Sequence, residues 1–166
     1  MSLKQHKIIN RLLLLAEKST GGKNWQQHAS AICCGKKILC TSINNNRTKF
    51  GKNIFCCGHS EANCVLKYMN RNFPNTKNYN CFNRYNRKRK KLTIYIVRRR
   101  KNKSHPKFVG AMSAPCSHCL GLIKQYGIQK IKYIDDTDNI ISVKTKNYKI
   151  NHVSSGYRVM KEMKIL

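Results

Sequence analysis

The spacing of apolar and polar residues predicts most of the regular structure in this 166-residue chain. In residues 4–18 apolar side chains recur at helical spacing, which predicts an amphipathic first helix. Residues 28–34 and 37–41 flank a Gly-Lys pair and predict a β-hairpin. Residues 92–97 are nearly all β-branched or aromatic, which is typical of a central strand covered on both faces. This strand is expected to stop at Arg98.

The second half of the chain predicts two more helices and two more strands. Residues 60–69 and 117–126 repeat apolar side chains at helical spacing, and Pro115 favours a first helical turn at that point. The strands 130–134 and 140–145 are separated by five turn-type residues, too few for a crossover helix. The last two strands should therefore pair antiparallel. The expected fold is one α/β domain over residues 1–166, a mixed five-stranded sheet with helices on both faces.

The net charge of +28 is extreme for one domain and implies attraction to polyanions. A chain rich in Lys, Asn and Ile has the composition of an AT-rich coding sequence, but compositional bias does not explain clustering. Residues 71–107 carry fourteen Lys or Arg and no Asp or Glu. A polar and then basic insertion at about 70–91 interleaves aromatic residues with cations, which suits a solvated surface loop, a contact with single-stranded nucleic acid or a nuclear-import signal.

Cysteine content and hydropathy indicate a reducing intracellular compartment, cytoplasm or nucleus. Nine cysteines are an odd number, and a chain of this size does not need disulfides to be stable. No apolar run approaches the ~20 residues of a membrane span, so no membrane partner is expected. The N-terminus lacks the apolar stretch and cleavage site of a secretory signal.

Two short motifs carry the candidate chemistry. The first is Gly58-His59-Ser60-Glu61, and the second is Pro115-Cys116-Ser117-His118-Cys119. A catalytic zinc ion takes three protein ligands and keeps its fourth position for water. His59, Cys116 and Cys119 supply such a set, and each half opens a predicted helix. Glu61 remains beside the metal as a proton carrier. The alternative is a structural zinc site with a fourth ligand from Cys56, Cys57 or His118.

With these motifs the sequence resembles the cytidine deaminase-like superfamily, whose signature is H-x-E followed by P-C-x-x-C. The resemblance covers roughly residues 4–145. It implies a three-layer fold, Zn²⁺ as cofactor, and Glu61 as the catalytic acid and base. It also implies that an Asn after the second strand contacts the substrate, with Asn44 preferred over Asn46. Ser60 stands where the family more commonly has Ala.

The resemblance leaves the substrate open. Cytidine deaminases have the antiparallel hairpin expected here, whereas tRNA adenosine and deoxycytidylate deaminases place a helix between parallel strands. Free-nucleoside enzymes, however, usually have Cys where His59 stands. Our first interpretation is a hydrolytic deaminase of a cytosine nucleoside or nucleotide.

Two alternatives remain: a cytosine or adenine deaminase of single-stranded DNA, RNA or tRNA, and a catalytically silent fold that binds nucleic acid. A homo-oligomer is compatible with each interpretation. The candidate contacts to phosphate or nucleic acid are Arg87, Arg89, Arg98, Arg99 and Arg100.

Overall fold

The computed structural model describes the following residues: 3–19, 27–45, 49–50, 53–54, 58–73, 91–100, 109–150, 153–154, 158 and 162. Three helices lie in this part of the chain: α1 (Leu3–Glu17), α2 (Ser60–Asn72) and α3 (Ser117–Gln125). The strands are β1 (Gln27–Cys34), β2 (Lys37–Ile43), β3 (Lys49–Phe50), β4 (Asn53–Ile54), β5 (Leu92–Arg100), β6 (Val109–Ala111), β7 (Lys130–Ile134) and β8 (Ile140–Lys144). A single 3-10 turn, Thr145–Asn147, follows β8.

The main sheet has the strand order β2-β1-β5-β7-β8, and β6 adds to the far end of β5. The β1–β2, β1–β5 and β7–β8 pairs are antiparallel, whereas β5 and β7 are parallel. Helix α3 lies between β5 and β7 in the chain and makes the crossover that a parallel pair requires. The mixed sheet and the antiparallel last pair are both confirmed.

Alternation along the strands divides the core into two layers. Tyr95 and Val97 of β5 pack with the apolar face of α1, including the fully buried Leu12. Ile94 and Ile96 face the other way and pack with α2 and α3. Strand β5 is therefore covered on both faces, which confirms its prediction as the central strand.

Two local predictions were wrong, and one short strand was not predicted. Strand β5 continues through Arg100, because Gln27 and His28 of β1 extend the ladder opposite Arg99 and Arg98. The short strand β6, which the sequence pattern did not reveal, pairs with the same three arginine positions. Helix α3 begins at Ser117 with Cys116 as its N-cap, so Pro115 precedes the helix and is not in its first turn.

Within the described residues, no helix is both long and apolar enough to cross a membrane.

Candidate metal centre

The candidate ligands lie where α2 and α3 begin. His59 is the N-cap of α2, and its carbonyl accepts the first helical hydrogen bond from Asn63 N–H at 2.9 Å. Cys116 is the N-cap of α3 and accepts from Leu120 N–H at 2.9 Å. Cys119 lies one turn further along α3. The two helices contact each other across the same side of the sheet, so the sequence motifs meet in space.

These three side chains form a compact donor set. Nδ1 of His59 lies 3.5 Å from Sγ of Cys116 and 3.4 Å from Sγ of Cys119. All candidate ligand atoms lie within 4.8 Å of one another, and both cysteines are buried. One imidazole nitrogen and two sulfur atoms at this separation are the donor types that zinc prefers. The group is positioned to hold a metal ion.

The two thiols differ in their readiness to ionise. A hydrogen bond from Cys119, together with the His59 ring, lowers the pKa of Cys116 to about 3. The same hydrogen bond and burial raise the pKa of Cys119 well above its usual value. Cys116 is therefore a thiolate at neutral pH, which is the form that binds metal. A cation would compete with the proton of Cys119.

Glu61 lies in the first turn of α2 and is only 4% exposed. Burial raises the pKa of its carboxyl, while the neighbouring His59 lowers it and Cys116 raises it. The carboxyl thus interacts electrostatically with two of the three candidate ligands but is not one of them. A carboxyl with a raised pKa beside a metal centre is suited to carry a proton near neutral pH.

Two buried serines hold the Glu61 carboxyl. The Ser60 hydroxyl donates to Oε2 of Glu61 at 3.1 Å, and it also shares a 2.7 Å hydrogen bond with the hydroxyl of Ser30 on β1. Both serines are fully buried. The hydroxyl at position 60 therefore has a specific partner on each side. The sequence analysis noted only that Ser60 stands where the resembled family more commonly has Ala and missed this role, although the serine within the predicted strand β1 was a signal.

The chain before His59 is fixed by close amide contacts. Gly58 pairs with Asn45 through two main-chain hydrogen bonds of 2.9 and 3.0 Å. Nδ2 of Asn63 donates to the carbonyls of Ile43 and Gly58, both at 2.9 Å. A Cβ at Gly58 would overlap Oδ1 of Asn45 and the amide of Asn63. Only glycine fits there, because the side chains of two elements already occupy the space.

Of the two predicted substrate contacts, Asn44 is described and Asn46 lies outside the described residues. Oδ1 of Asn44 accepts from the His28 main-chain N–H and from the Ser19 hydroxyl, each at 2.8 Å. These bonds tie β1 to the end of α1. Asn45, which the sequence interpretation did not select, is the asparagine that contacts Gly58 next to the metal group.

The five predicted arginine contacts have different surroundings. Arg87 and Arg89 lie outside the described residues, and only the main chain of Arg100 is described. Arg99 is buried and forms a 3.0 Å salt bridge with Glu17 of α1. Arg98 is half-buried and pairs with His28 across the sheet.

The His28–Arg98 pair lies close to the candidate metal group. Burial and the charges of Arg98 and His59 lower the pKa of His28 to about 3, while Cys116 raises it. Arg98 and the candidate ligand His59 thus act electrostatically on the same ring.

Of the alternative fourth ligands, those that the structure describes do not belong to the set of candidate metal ligands. The set consists of His59, Cys116 and Cys119, without His118. His118 is half-buried, and burial lowers the pKa of its ring. Cys56 and Cys57 lie outside the described part of the chain.

No family model and no curated protein matches this sequence. Solved protein structures, however, are similar to this chain. The chain is similar to a cytidine deaminase from Burkholderia pseudomallei, with 12% identity and a TM-score of 0.53 over 89% of this chain and 95% of that one. It is also similar to the dCMP deaminase from the cyanophage S-TIM5 in complex with dCMP and dUMP, with 15% identity and a TM-score of 0.50 over 98% and 94%.

The protein therefore has a cytidine deaminase-like fold. At these sequence identities the likeness shows the fold alone.

Proposed function

We propose that the protein is a zinc-dependent hydrolytic deaminase of a cytosine nucleoside or nucleotide. The observation that carries the proposal is the convergence of His59 Nδ1 on two buried thiols, with the buried carboxyl of Glu61 beside them. A structural metal site would not need an additional buried carboxyl with a raised pKa.

His59, Cys116 and Cys119 would hold the metal, and their donor types fit zinc. When bound, Zn²⁺ would supply Lewis-acid activation of a water molecule at the position that the three ligands leave open. The chain's own contribution is to fix this donor set at two helix N-termini, where the helix dipoles favour the ionised thiolates.

Glu61 is the proposed acid and base. Its carboxylate would accept the proton of the attacking water and deliver it to the ring nitrogen of the base. It would then take the second proton from the hydroxyl of the addition product and give it to the amino group, which leaves as ammonia while the carbonyl forms. Ser60, supported by Ser30, holds one carboxylate oxygen so that the other can face the substrate. The burial that raises the pKa of Glu61 allows both steps near neutral pH.

The position of Arg98 favours a substrate that carries a phosphate. It is half-buried on the side of β5 that faces the metal group, opposite His28. Because the pKa of His28 is lowered to about 3, this ring stays neutral at pH 7 and leaves the guanidinium as the charged partner of the pair. A guanidinium can bind phosphate through two parallel hydrogen bonds. We therefore favour a cytosine nucleotide over the free nucleoside.

The test is mass-spectrometric detection of deaminated product from a panel of substrates: cytidine, deoxycytidine, their monophosphates, adenosine, and single-stranded DNA and RNA. Wild type and the Glu61→Gln variant are compared, with zinc content measured on both. We expect Glu61→Gln to keep zinc and to lose about 10²- to 10⁴-fold in turnover. The matched control is Glu162→Gln, because Glu162 is exposed.

Turnover by Glu61→Gln at the wild-type rate would falsify the proposed role of Glu61. Product from polynucleotides alone would identify a nucleic-acid deaminase. Bound zinc without product from any substrate would indicate a catalytically silent fold.

A further inference from the structure

A second concave site lies at the opposite end of α3 from the metal centre. A cavity of about 830 Å³ is bordered by the end of α3, the first residues of β5 and β7, the end of β8 and the 3-10 turn. Cavities that hold small ligands usually measure ~300–1,000 Å³. Since the nine residues of α3 span ~13 Å, this cavity is separate from the metal ligands at the start of the helix.

The cavity is lined by cations without any acidic residue among the described lining positions. Five lysines border it, and all five are exposed: Lys91, Lys124, Lys130, Lys144 and Lys146. Leu92 and Ile128 give it a buried apolar floor. Several like charges around one concave surface repel one another, and a bound anion removes that cost. The lining therefore favours a ligand that carries several negative charges.

Main-chain hydrogen bonds hold the cavity walls in place. Helix α3 ends in a Schellman motif, in which Ile128 N–H donates to Ile123 and Gly127 N–H donates to Lys124. Gly127 has φ of 65°, the left-handed conformation that this motif requires. Gln129 N–H then donates to Leu92, and Thr145 N–H donates to Gln129. The cavity is thus formed by the fold and does not depend on side-chain rearrangement.

One buried polar group in the lining has no partner. The Thr145 residue is 4% exposed, and within the described structure its Oγ1 makes no hydrogen bond. An unpaired buried hydroxyl destabilises the folded state. The Oγ1 atom is itself shielded from solvent, so a phosphate oxygen in the cavity would accept its hydrogen bond only after the Thr145 side chain rotates. The charge of the ligand is therefore argued from the lysines.

We propose that the cavity is a phosphate-binding site that holds the backbone of a single-stranded nucleic acid. The five lysines carry five positive charges, more than the two negative charges of a nucleoside monophosphate balance. A strand presents a phosphate at every nucleotide and can balance several of these charges at once. The apolar floor suits a sugar or base between phosphates. This site does not depend on the proposed deaminase activity.

The first test measures the affinity for a fluorescently labelled DNA strand of about 20 nucleotides by anisotropy at several salt concentrations. The cavity variant carries Lys130→Gln, Lys144→Gln and Lys146→Gln. If each lysine neutralises one phosphate, we expect roughly 10- to 50-fold weaker binding at 0.15 M salt, and a salt slope that is about 2 units shallower. Zinc content and turnover of a mononucleotide should not change.

The matched control removes the same charge from exposed lysines that do not line the cavity. Lys18→Gln, Lys36→Gln and Lys37→Gln lie after α1 and at the β1–β2 turn, and β2 is the opposite edge strand from β8. We expect less than a threefold loss of affinity. An equal loss in both triple variants would show that net charge alone binds the strand, and the cavity proposal would be overturned.

Two further measurements identify the ligand and the part played by the hydroxyl. Inorganic triphosphate should displace the strand only at much higher concentration than an unlabelled strand does; tight triphosphate binding without strand binding would overturn the nucleic-acid assignment. Thr145→Val should weaken strand binding about two- to fivefold while it raises the melting temperature. A stabilised Thr145→Val variant that binds as tightly as wild type would overturn the role of Thr145.

Discussion

The two ends of α3 present opposite kinds of chemistry. At its start, Cys116 and Cys119 are buried and lie within 3.5 Å of His59. The hydroxyl of Ser60, bonded in turn to Ser30, holds the carboxyl of Glu61. At its end, exposed lysines surround an open cavity, and Thr145 contributes a single buried hydroxyl. The start of α3 would select its metal ion because a few ligand atoms have fixed positions. The end of α3 would select a ligand only by its charge and shape.

This difference shows why one site could be found from the sequence and the other could not. The spacing of metal ligands within a helix is a local property, so the H-x-E and P-C-x-x-C motifs can be recognised from the sequence alone. The lysines of the cavity come from four separate segments and carry no spacing signal. Only the crossover from β5 through α3 to β7 brings them together.

The largest expected effect contrasts one residue from each end of the same helix. Cys119→Ser should lower zinc affinity at least 100-fold and abolish detectable turnover, because the site loses a thiolate ligand. Lys124→Gln, five residues further along α3, should leave zinc content and turnover as in wild type. Metal analysis after dialysis measures both proteins. Retention of stoichiometric zinc by Cys119→Ser would contradict the assigned ligand set.

The next effect tests the packing beside the metal centre. Gly58→Ala places a methyl group against the side chains of Asn45 and Asn63, and we expect it to lower the free energy of unfolding by about 1–3 kcal/mol. Gly121→Ala is the matched control, because no atom lies within 4 Å of its added methyl group and alanine favours the helix. Chemical denaturation measures both. Equal stability of Gly58→Ala and wild type would argue against the close packing.

A smaller and more selective effect concerns Arg98. If its guanidinium binds the substrate phosphate, Arg98→Gln should raise KM for a cytosine monophosphate roughly 10- to 100-fold, since a hydrogen bond to a charged group is worth ~1.5–3 kcal/mol. KM for cytidine should stay within about twofold of wild type. Steady-state kinetics on both substrates in one preparation provide the internal control. An equal rise in KM for cytidine would show that Arg98 stabilises the site as a whole and does not bind the phosphate.

The smallest effect is at Tyr148, which links the residues just before α3 to the 3-10 turn. Its hydroxyl donates to the Pro115 carbonyl at 3.3 Å, and its N–H donates to the Thr145 carbonyl at 3.3 Å. Tyr148→Phe should cost about 1 kcal/mol at pH 7. Urea unfolding measures this change.

The same residue gives a pH dependence with a defined sign. Burial, assisted by Tyr133, raises the pKa of Tyr148 from 10.0 to about 12. Between those values the unfolded chain loses the phenol proton while the folded protein keeps it, so wild-type stability should fall as pH rises above 10. The stability difference between wild type and Tyr148→Phe should therefore shrink over this range. A constant difference would show that the phenol ionises freely.

Sequence reasoning succeeded where the signal was local. The start of α2 at Ser60, the β1–β2 hairpin and the antiparallel β7–β8 pair all follow from residue spacing and turn length. The central position of β5 follows from its continuous apolar run.

It failed where partners distant in sequence decide the structure. Arg98 to Arg100 are poor strand formers taken alone, and β1 and β6 impose the extended conformation on them. The Ser30–Ser60 hydrogen bond joins residues thirty positions apart. The sequence analysis selected Asn44 and Asn46, and no local rule indicates that Asn45 is the residue that pairs with Gly58.

The ligand arrangement also has a consequence for the entropy of the unfolded chain. A metal ion shared by His59 and Cys116 would join positions 57 residues apart, as a removable cross-link. In the chain-entropy treatment used for disulfides, closing a loop of that length restricts the unfolded state by about 4 kcal/mol. That is a large part of the ~5–15 kcal/mol by which a domain is usually stable. An ion bound there would thus also hold the two halves of the α/β domain together.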